Sequence, residues 1–318
     1  MHRLIVDGFN LSYRAHYAHL DWVTKTGILS GCFYGFMSSL QTLKNRFPKH
    51  HFTVAWDTNS TRKKSIFAEY KANRQAFSID QPIADLKAAL SCVNIWQSEY
   101  LGEEADDVIA SLAAQFNANG EQVLIYSRDK DLLQLVRDGA VTVLWPKVGL
   151  SQEMMFDAER VKKEYEVSPP NIPCLLCLRG DHSDNIPGVP RVPTTILARL
   201  SEAYGIPEVV YENLLKEKLT VFQHSALMSH QRQASINWQL TKLRTDLDPE
   251  ISKGKSNPDK LAEWLMKYEV KKISAESFVK LFGTETQFLE RRSTPVVFES
   301  LFDEEIENGA NSPSPQVR

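Results

Sequence analysis

Val123-Leu124-Ile125-Tyr126-Ser127-Arg128-Asp129-Lys130-Asp131 is the stretch on which the fold turns. Four β-favouring apolar residues run straight into a polar turn that carries two aspartates. Upstream, residues 104–118 put Ala105, Val108, Ile109, Leu112 and Ala113 on one helical face, and Asn119-Gly120 stops that helix. Three other runs are of the same short apolar kind: Leu4-Ile5-Val6, Phe52-Thr53-Val54-Ala55-Trp56 and Val141-Thr142-Val143-Leu144-Trp145. Between them, residues 33–47 (Phe33, Phe36, Met37, Leu40, Leu43) and 82–93 (Ile83, Leu86, Ala89, Leu90) have helical spacing. Short apolar strands alternating with helices predict an α/β fold, a mostly parallel central sheet flanked by helices. Past residue 150 no strand of equal quality is legible. Residues 155–290 read as helical, with breaks at Pro169-Pro170, Pro187-Gly188, Pro190 and Pro193. The stretch 303–318, acidic and then rich in Asn, Ser, Pro and Gly, is expected to be a disordered tail.

Composition narrows the class. The 318 residues are 42% hydrophobic and 24% charged, which excludes collagen, coiled coil and overall disorder. No apolar run approaches the ~18 residues of a membrane span. Asp7 interrupts the first apolar run too early for a signal peptide, and four cysteines do not make a disulfide framework, so the expected compartment is the cytosol. Cys174-Leu-Leu-Cys177 lies in an apolar helical run without a second metal-ligand pair and reads as buried and structural; His50-His51 reads as surface. The net charge of −3 argues against a polyanionic partner until its distribution is considered. Residues 62–74 hold five basic side chains against one acid, whereas acids gather at 103–107, at Asp129 and Asp131, and at Asp181 and Asp184. Segregation of this kind suits a cation-holding site beside a phosphate-holding surface.

Asp7 ends the first strand, Asp57 follows the second, and Asp129 and Asp131 follow the third. Parallel strands bring these ends to one edge, where open α/β sheets bind ligands. A lone aspartate after a strand is a turn or cap residue, and Asp106 and Asp107 alone suit the first turn of a helix. Their joint occurrence at three strand ends points to function. So many converging carboxylates require protons or cations, and an all-oxygen set without clustered His or Cys favours Mg²⁺ or Mn²⁺ over zinc.

Five runs then occur in order: Val6-Asp7-Gly8, Tyr70-Lys71-Ala72-Asn73-Arg74, Glu104-Ala105-Asp106-Asp107, Asp129-Lys130-Asp131-Leu132 and Gly180-Asp181-His182-Ser183-Asp184-Asn185-Ile186-Pro187-Gly188-Val189. With Asn237-Trp238 and Lys242-Leu243-Arg244-Thr245-Asp246-Leu247 they resemble the 5′ nuclease (flap endonuclease) family, in its standalone phage or bacterial form. The resemblance implies a PIN-like, Rossmann-like nuclease domain over 1–165, with a helical arch at about 58–100, and a helix-turn-helix-type duplex-binding region over 166–290. It implies two Mg²⁺ ions, replaceable by Mn²⁺: one among Asp7, Asp57, Glu104 and Asp106, the other among Asp129, Asp131, Asp181 and Asp184, with Asp107 nearby. Lys71, Arg74 and Arg14 match catalytic positions. Arg62, Lys63, Lys64, Tyr70, Lys71 and Arg74 would meet the single strand, Tyr70 by stacking, and Arg191 and Arg199 the duplex. The implied activity is 5′→3′ exonuclease and 5′-flap endonuclease action by a monomer, in replication or repair, on branched or nicked duplex DNA and on RNA–DNA primer hybrids. Alternatives are a PIN-type ribonuclease and a non-catalytic branched-DNA-binding protein. The apolar segment 296–303 either packs on the body or docks on a replication partner.

One stretch departs from the family pattern. Where a Gly-x-Gly hairpin that holds K⁺ is usual, this chain has Pro190-Arg191-Val192-Pro193-Thr194-Thr195. Arg and Val take positive φ at a cost and proline donates no N–H. The expectation is a loop that does not bind K⁺, with Thr194 or Thr195 as helix cap.

Overall fold

His2–Asp7 forms the central strand, β1, with Leu4, Ile5 and Val6 fully buried. Because side chains alternate along a strand, Ile5 enters one core while Leu4 and Val6 enter the other. The remaining strands are β2 (His50–Ala55), β3 (Trp96–Glu99), β4 (Gln122–Tyr126), β5 (Val141–Trp145), β6 (Met154–Phe156) and β7 (Glu250–Lys253). They pair in the order β6-β5-β4-β1-β2-β3-β7, parallel through β5 to β3 and antiparallel at both edges. This is a computed structural model that describes residues 1–58, 60–74, 79–146 and 153–283.

The helices are α1 (Gly8–Ala18), α2 (Gly31–Arg46), α3 (Thr61–Ile66), α4 (Asp80–Leu90), α5 (Ala105–Ala118), α6 (Ala158–Tyr165), α7 (Ile172–Arg179), α8 (Thr194–Tyr204), α9 (Pro207–Asn213), α10 (Val221–Thr241), α11 (Pro258–Lys267) and α12 (Ala275–Phe282). Val108, Ile109 and Leu112 of α5 pack with Ile5, Ile125 and Val143, and this core continues through Leu175, Leu178, Leu197, Val210 and Leu227 of α7–α10. On the opposite face Phe33, Phe36, Leu40, Leu86 and Leu90 pack with Leu4, Val6 and Val54, joined by Leu261, Leu265 and Phe278.

Three features differ from the sequence reading. Strands β6 and β7 lie beyond residue 150, and β3 was not anticipated: each has three or four residues and sits at or next to an edge, so neither length nor alternation marks it. Within the stretch 58–100, read as an arch, α4 packs in the core and β3 joins the sheet, and Ile66, Phe67 and Tyr70 pack with Ile186 and Leu240. Residues 250–282, expected within the duplex-binding region, return to the sheet through β7, α11 and α12. The tail 303–318 and the segment 296–303 lie outside the described residues.

Cys174 and Cys177 are buried free thiols in α7, as read. His50 and His51 are half-buried on β2 rather than on the surface, and burial first of all pushes each imidazole down to about 4.

Candidate active site

The strand order reverses at β1, which has β2 on one side and β4 on the other. Outside the carboxyl ends of β1 and β4 lies the crevice that such a reversal opens. Asp7 closes β1 and caps α1: Oδ1 accepts the Asn10 N–H at 2.9 Å and Oδ2 accepts the Ser127 hydroxyl at 2.7 Å. Gly8 follows because a Cβ there would lie 2.4 Å from the Trp56 ring. Asp57 Oδ1 accepts the Ala105 N–H at 2.7 Å, tying the end of β2 to the start of α5. Asp129 Oδ1 accepts the Asp131 N–H at 2.9 Å.

The acids divide into two electrical groups. Glu104 accepts from Lys71 Nζ and the Ser60 hydroxyl at 2.6 Å each, from the Tyr70 hydroxyl at 2.9 Å and from Lys63 Nζ at 3.0 Å. Burial opposes its charge, but the two ammonium groups prevail and hold its carboxyl well below the usual range. Asp181 accepts from Lys130 Nζ at 2.7 Å, and Asp184 from Arg74 Nη2 at 2.5 Å and the Tyr70 hydroxyl at 3.1 Å. Asp107 accepts the Arg244 N–H at 2.8 Å and Arg62 Nη2 at 3.1 Å.

Asp7, Asp57, Asp106, Asp129 and Asp131 form the second group, and all five carboxyls are pushed up. Burial is the first cause throughout. The next repulsive neighbours are Asp57 for Asp7, Glu104 for Asp57, Asp129 for Asp106 and Asp131, and Asp184 for Asp129. Asp7 is raised to about 7. Asp131 Oδ1 is buried without a hydrogen-bond partner.

Among the described residues, no group of three or more Asp, Glu, His or Cys side chains is arranged to hold an ion as it stands. The ammonium groups of Lys63 and Lys71 occupy part of the space between the acids. The donor chemistry nevertheless fits a hard cation: the set is all oxygen, five of its acids are raised by burial and mutual repulsion despite the nearby lysines, and one oxygen is an orphan.

The basic residues are placed less uniformly than expected. Arg74 is exposed and Lys71 partly so, both beside Asp184. Arg14 lies half-buried on α1, its guanidinium carbon 5.9 Å from the Tyr126 ring centroid. Lys64 is exposed on α3. Lys63 is not a surface contact: its side chain is 1% exposed, between Glu104 and Asp107. Tyr70 offers no face for stacking, being buried with Ile186 and Leu240. Arg62 is spent on Glu103 and Asp107, and Arg199 pairs with Glu217. Asp107 is pinned by structural donors. Arg191 is exposed and adopts φ 57°, so the turn expected to need glycine forms without it. Pro193, not a threonine, occupies the cap position before α8.

Sequence reasoning missed Ser60, Ser127, Lys130 and Arg244. Ser127, at the end of a strand, was the discoverable one. Asn237 also has a role now visible: Nδ2 donates to the Cys177 and Pro187 carbonyls at 2.8 and 2.7 Å, tying α10 to the loop that bears Asp184.

A mostly parallel sheet with raised carboxyls at its switch point and lysine and arginine beside them defines an α/β protein whose crevice suits cations and phosphate oxygens. Comparison gives the family. Residues 2–166 match the 5′-3′ exonuclease N-terminal resolvase-like domain and residues 167–262 the 5′-3′ exonuclease C-terminal SAM fold. A 5′-3′ exonuclease of Aquifex aeolicus is 34% identical over 282 residues, covering 86% of this chain and 93% of that protein. DNA polymerase I of Mycobacterium leprae is 34% identical over 249 residues, 77% of this chain but 27% of the polymerase. In fold the chain is similar to the bacteriophage T5 D15 flap endonuclease, solved with DNA and metal ions, at 17% identity and a TM-score of 0.61, over 88% of this chain and 97% of that one. The chain belongs to the 5′-3′ exonuclease family and is a nuclease that hydrolyses phosphodiester bonds.

Proposed function

We propose that the chain cuts 5′ single-stranded flaps and nicked 5′ ends of duplex DNA, and RNA–DNA primer hybrids, with two divalent cations, Mg²⁺ or Mn²⁺. The carrying observation is the group of five carboxyls at the switch point, Asp7, Asp57, Asp106, Asp129 and Asp131, all raised by burial and by one another, with Lys71 and Arg74 beside Asp184 at the same site. Asp7, Asp57, Glu104 and Asp106 would hold one cation, and Asp129, Asp131, Asp181 and Asp184 the other. Bound there, the cations supply positive charge to the phosphate and lower the pKa of water. Lys71 and Arg74 then turn their N–H donors from Glu104 and Asp184 to the phosphate oxygens, stabilising the charge that develops as the bond breaks. Arg14 and Lys64 draw the single strand in, and Arg191 meets the duplex.

The deciding experiment compares a 5′ flap, a nicked duplex, a primer hybrid and a free single strand, each with Mg²⁺, Mn²⁺ or EDTA. The flap and nick are expected to be cut fastest, and EDTA to stop cutting. Asp129→Ala should abolish cutting and leave DNA binding near normal, and Lys71→Ala should slow it by roughly 10²-fold or more. Cutting in EDTA, or wild-type turnover by Asp129→Ala, refutes the cation assignment.

A further inference from the structure

Two asparagines with no role so far lie at the seam between residues 69–74 and 181–186. Asn73 Nδ2 donates to the His182 carbonyl at 2.7 Å, and Asn185 Nδ2 donates to the Glu69 carbonyl at 2.8 Å. The bonds run in opposite directions, each side chain closing on the other segment's backbone. Between them the Lys71 N–H donates to the Asp184 carbonyl at 3.0 Å, and Arg74 Nε reaches the Ser183 carbonyl at 3.3 Å.

Asparagines in turns usually bond to backbone two residues away. Here the partners are 109 and 116 residues distant, so local turn-making does not explain them. Lys71 and Asn185 both occupy the left-handed region, at φ 57° and 58°. Asparagine enters that region readily and lysine does not. Something outside residue 71 must hold it there, and that backbone carries an ammonium 2.6 Å from Glu104 and 3.9 Å from Asp184.

We propose that Asn73 and Asn185 are positioning residues that lace the two segments together and keep Lys71 in the left-handed turn that sets its ammonium over the acids. The kinetic part of this inference rests on the nuclease role given to Lys71 above; the structural part does not.

Asn185→Gly accepts positive φ without strain and removes only the side-chain bond. Asn73→Ala removes the other. Hydrogen–deuterium exchange across residues 67–74 of the full-length, metal-free protein reads the lacing directly. Single-turnover cutting of a 5′-flap duplex in Mg²⁺ reads its consequence. In both variants the Lys71 amide is expected to exchange about 3- to 10-fold faster, the worth of one hydrogen bond. The cutting rate at saturating DNA should fall by a similar factor, with DNA affinity unchanged. Lys71→Ala combined with Asn185→Gly should cut no more slowly than Lys71→Ala alone, because both act through one side chain. Unchanged exchange in both variants, or losses that multiply in the combined variant, overturns the proposal. A wild-type protein that cuts nothing while exchange shifts as expected refutes the nuclease role of Lys71 and leaves the lacing intact.

Discussion

Asp7 shows what this site costs at the level of one residue. Burial first, then Asp57, raises its carboxyl to about 7, and Asp106 and Asp131 are also pushed well up. For an acid whose folded pKa lies above its unfolded value, the stabilising contribution is full below the unfolded pKa and is lost as pH rises through the folded one. Between the ordinary value of 3.8 and about 7, Asp7 therefore works against the fold as pH increases. In EDTA, Asp7→Asn is expected to raise the melting temperature more at about pH 7.5 than at about pH 5.5, a comparison in which the opposite pull of His50 and His51 cancels, and saturating Mg²⁺ should reverse that order. Scanning calorimetry checks it, and the same order with and without Mg²⁺ would count against cations among these acids. These acids were legible because their place relative to strand ends is written in the sequence. The burial of Lys63 and Tyr70 was not, because a basic helix face reads as solvated until one knows which carboxylates fold beneath it.

Among the elements, the 180–188 loop is tightly specified by its glycines. An ideal Cβ on Gly188 would stand 1.9 Å from the Arg179 carbonyl oxygen and 2.7 Å from the Gly180 nitrogen. Both are backbone atoms, so neither can rotate away. Gly188→Ala is expected to cost about 1–3 kcal/mol, the range for overpacking, by urea denaturation. Flap cutting should fall with it, since Asp181 and Asp184 move with the loop; near-native stability would mean the loop has slack. The apolar strands β1, β2, β4 and β5 could be read from sequence because each carries its own hydrophobic signal. Trp96-Gln97-Ser98-Glu99 and Glu250-Ile251-Ser252-Lys253 carry none; the first becomes a strand by pairing with β2 on one side and β7 on the other, the second by pairing with β3, 152 residues away at Ser98 and Glu250.

At the scale of the molecule, the chain leaves the sheet after β6 and returns to it at β7. Tyr268 anchors the return: its ring stacks on Phe33 at 4.2 Å, and its hydroxyl donates to buried Asp85 at 2.6 Å. Tyr268→Ala is expected to cost about 3–5 kcal/mol, as for other large buried aromatic truncations. Urea denaturation of the full chain measures it, and a loss below about 1 kcal/mol would mean that the return segment merely rests on the sheet. Nothing local in Leu265-Met266-Lys267-Tyr268 announces this; a helical pattern shows which face is apolar, not which core it will join.

The burial of the acids also changes how the molecule looks from a distance. Among the described residues nine acidic side chains are buried against three basic ones, Arg3, Lys44 and Lys63. Most of those acids are paired with Lys or Arg, but Asp7, Asp106 and Asp131, which the formal −3 counts as charged, are pushed up toward the neutral form. Long-range repulsion toward nucleic acid is correspondingly weaker than the net charge implies. Whatever brings positive charge into the crevice draws these acids back to their charged form, so the molecule's charge is set in part by its occupant.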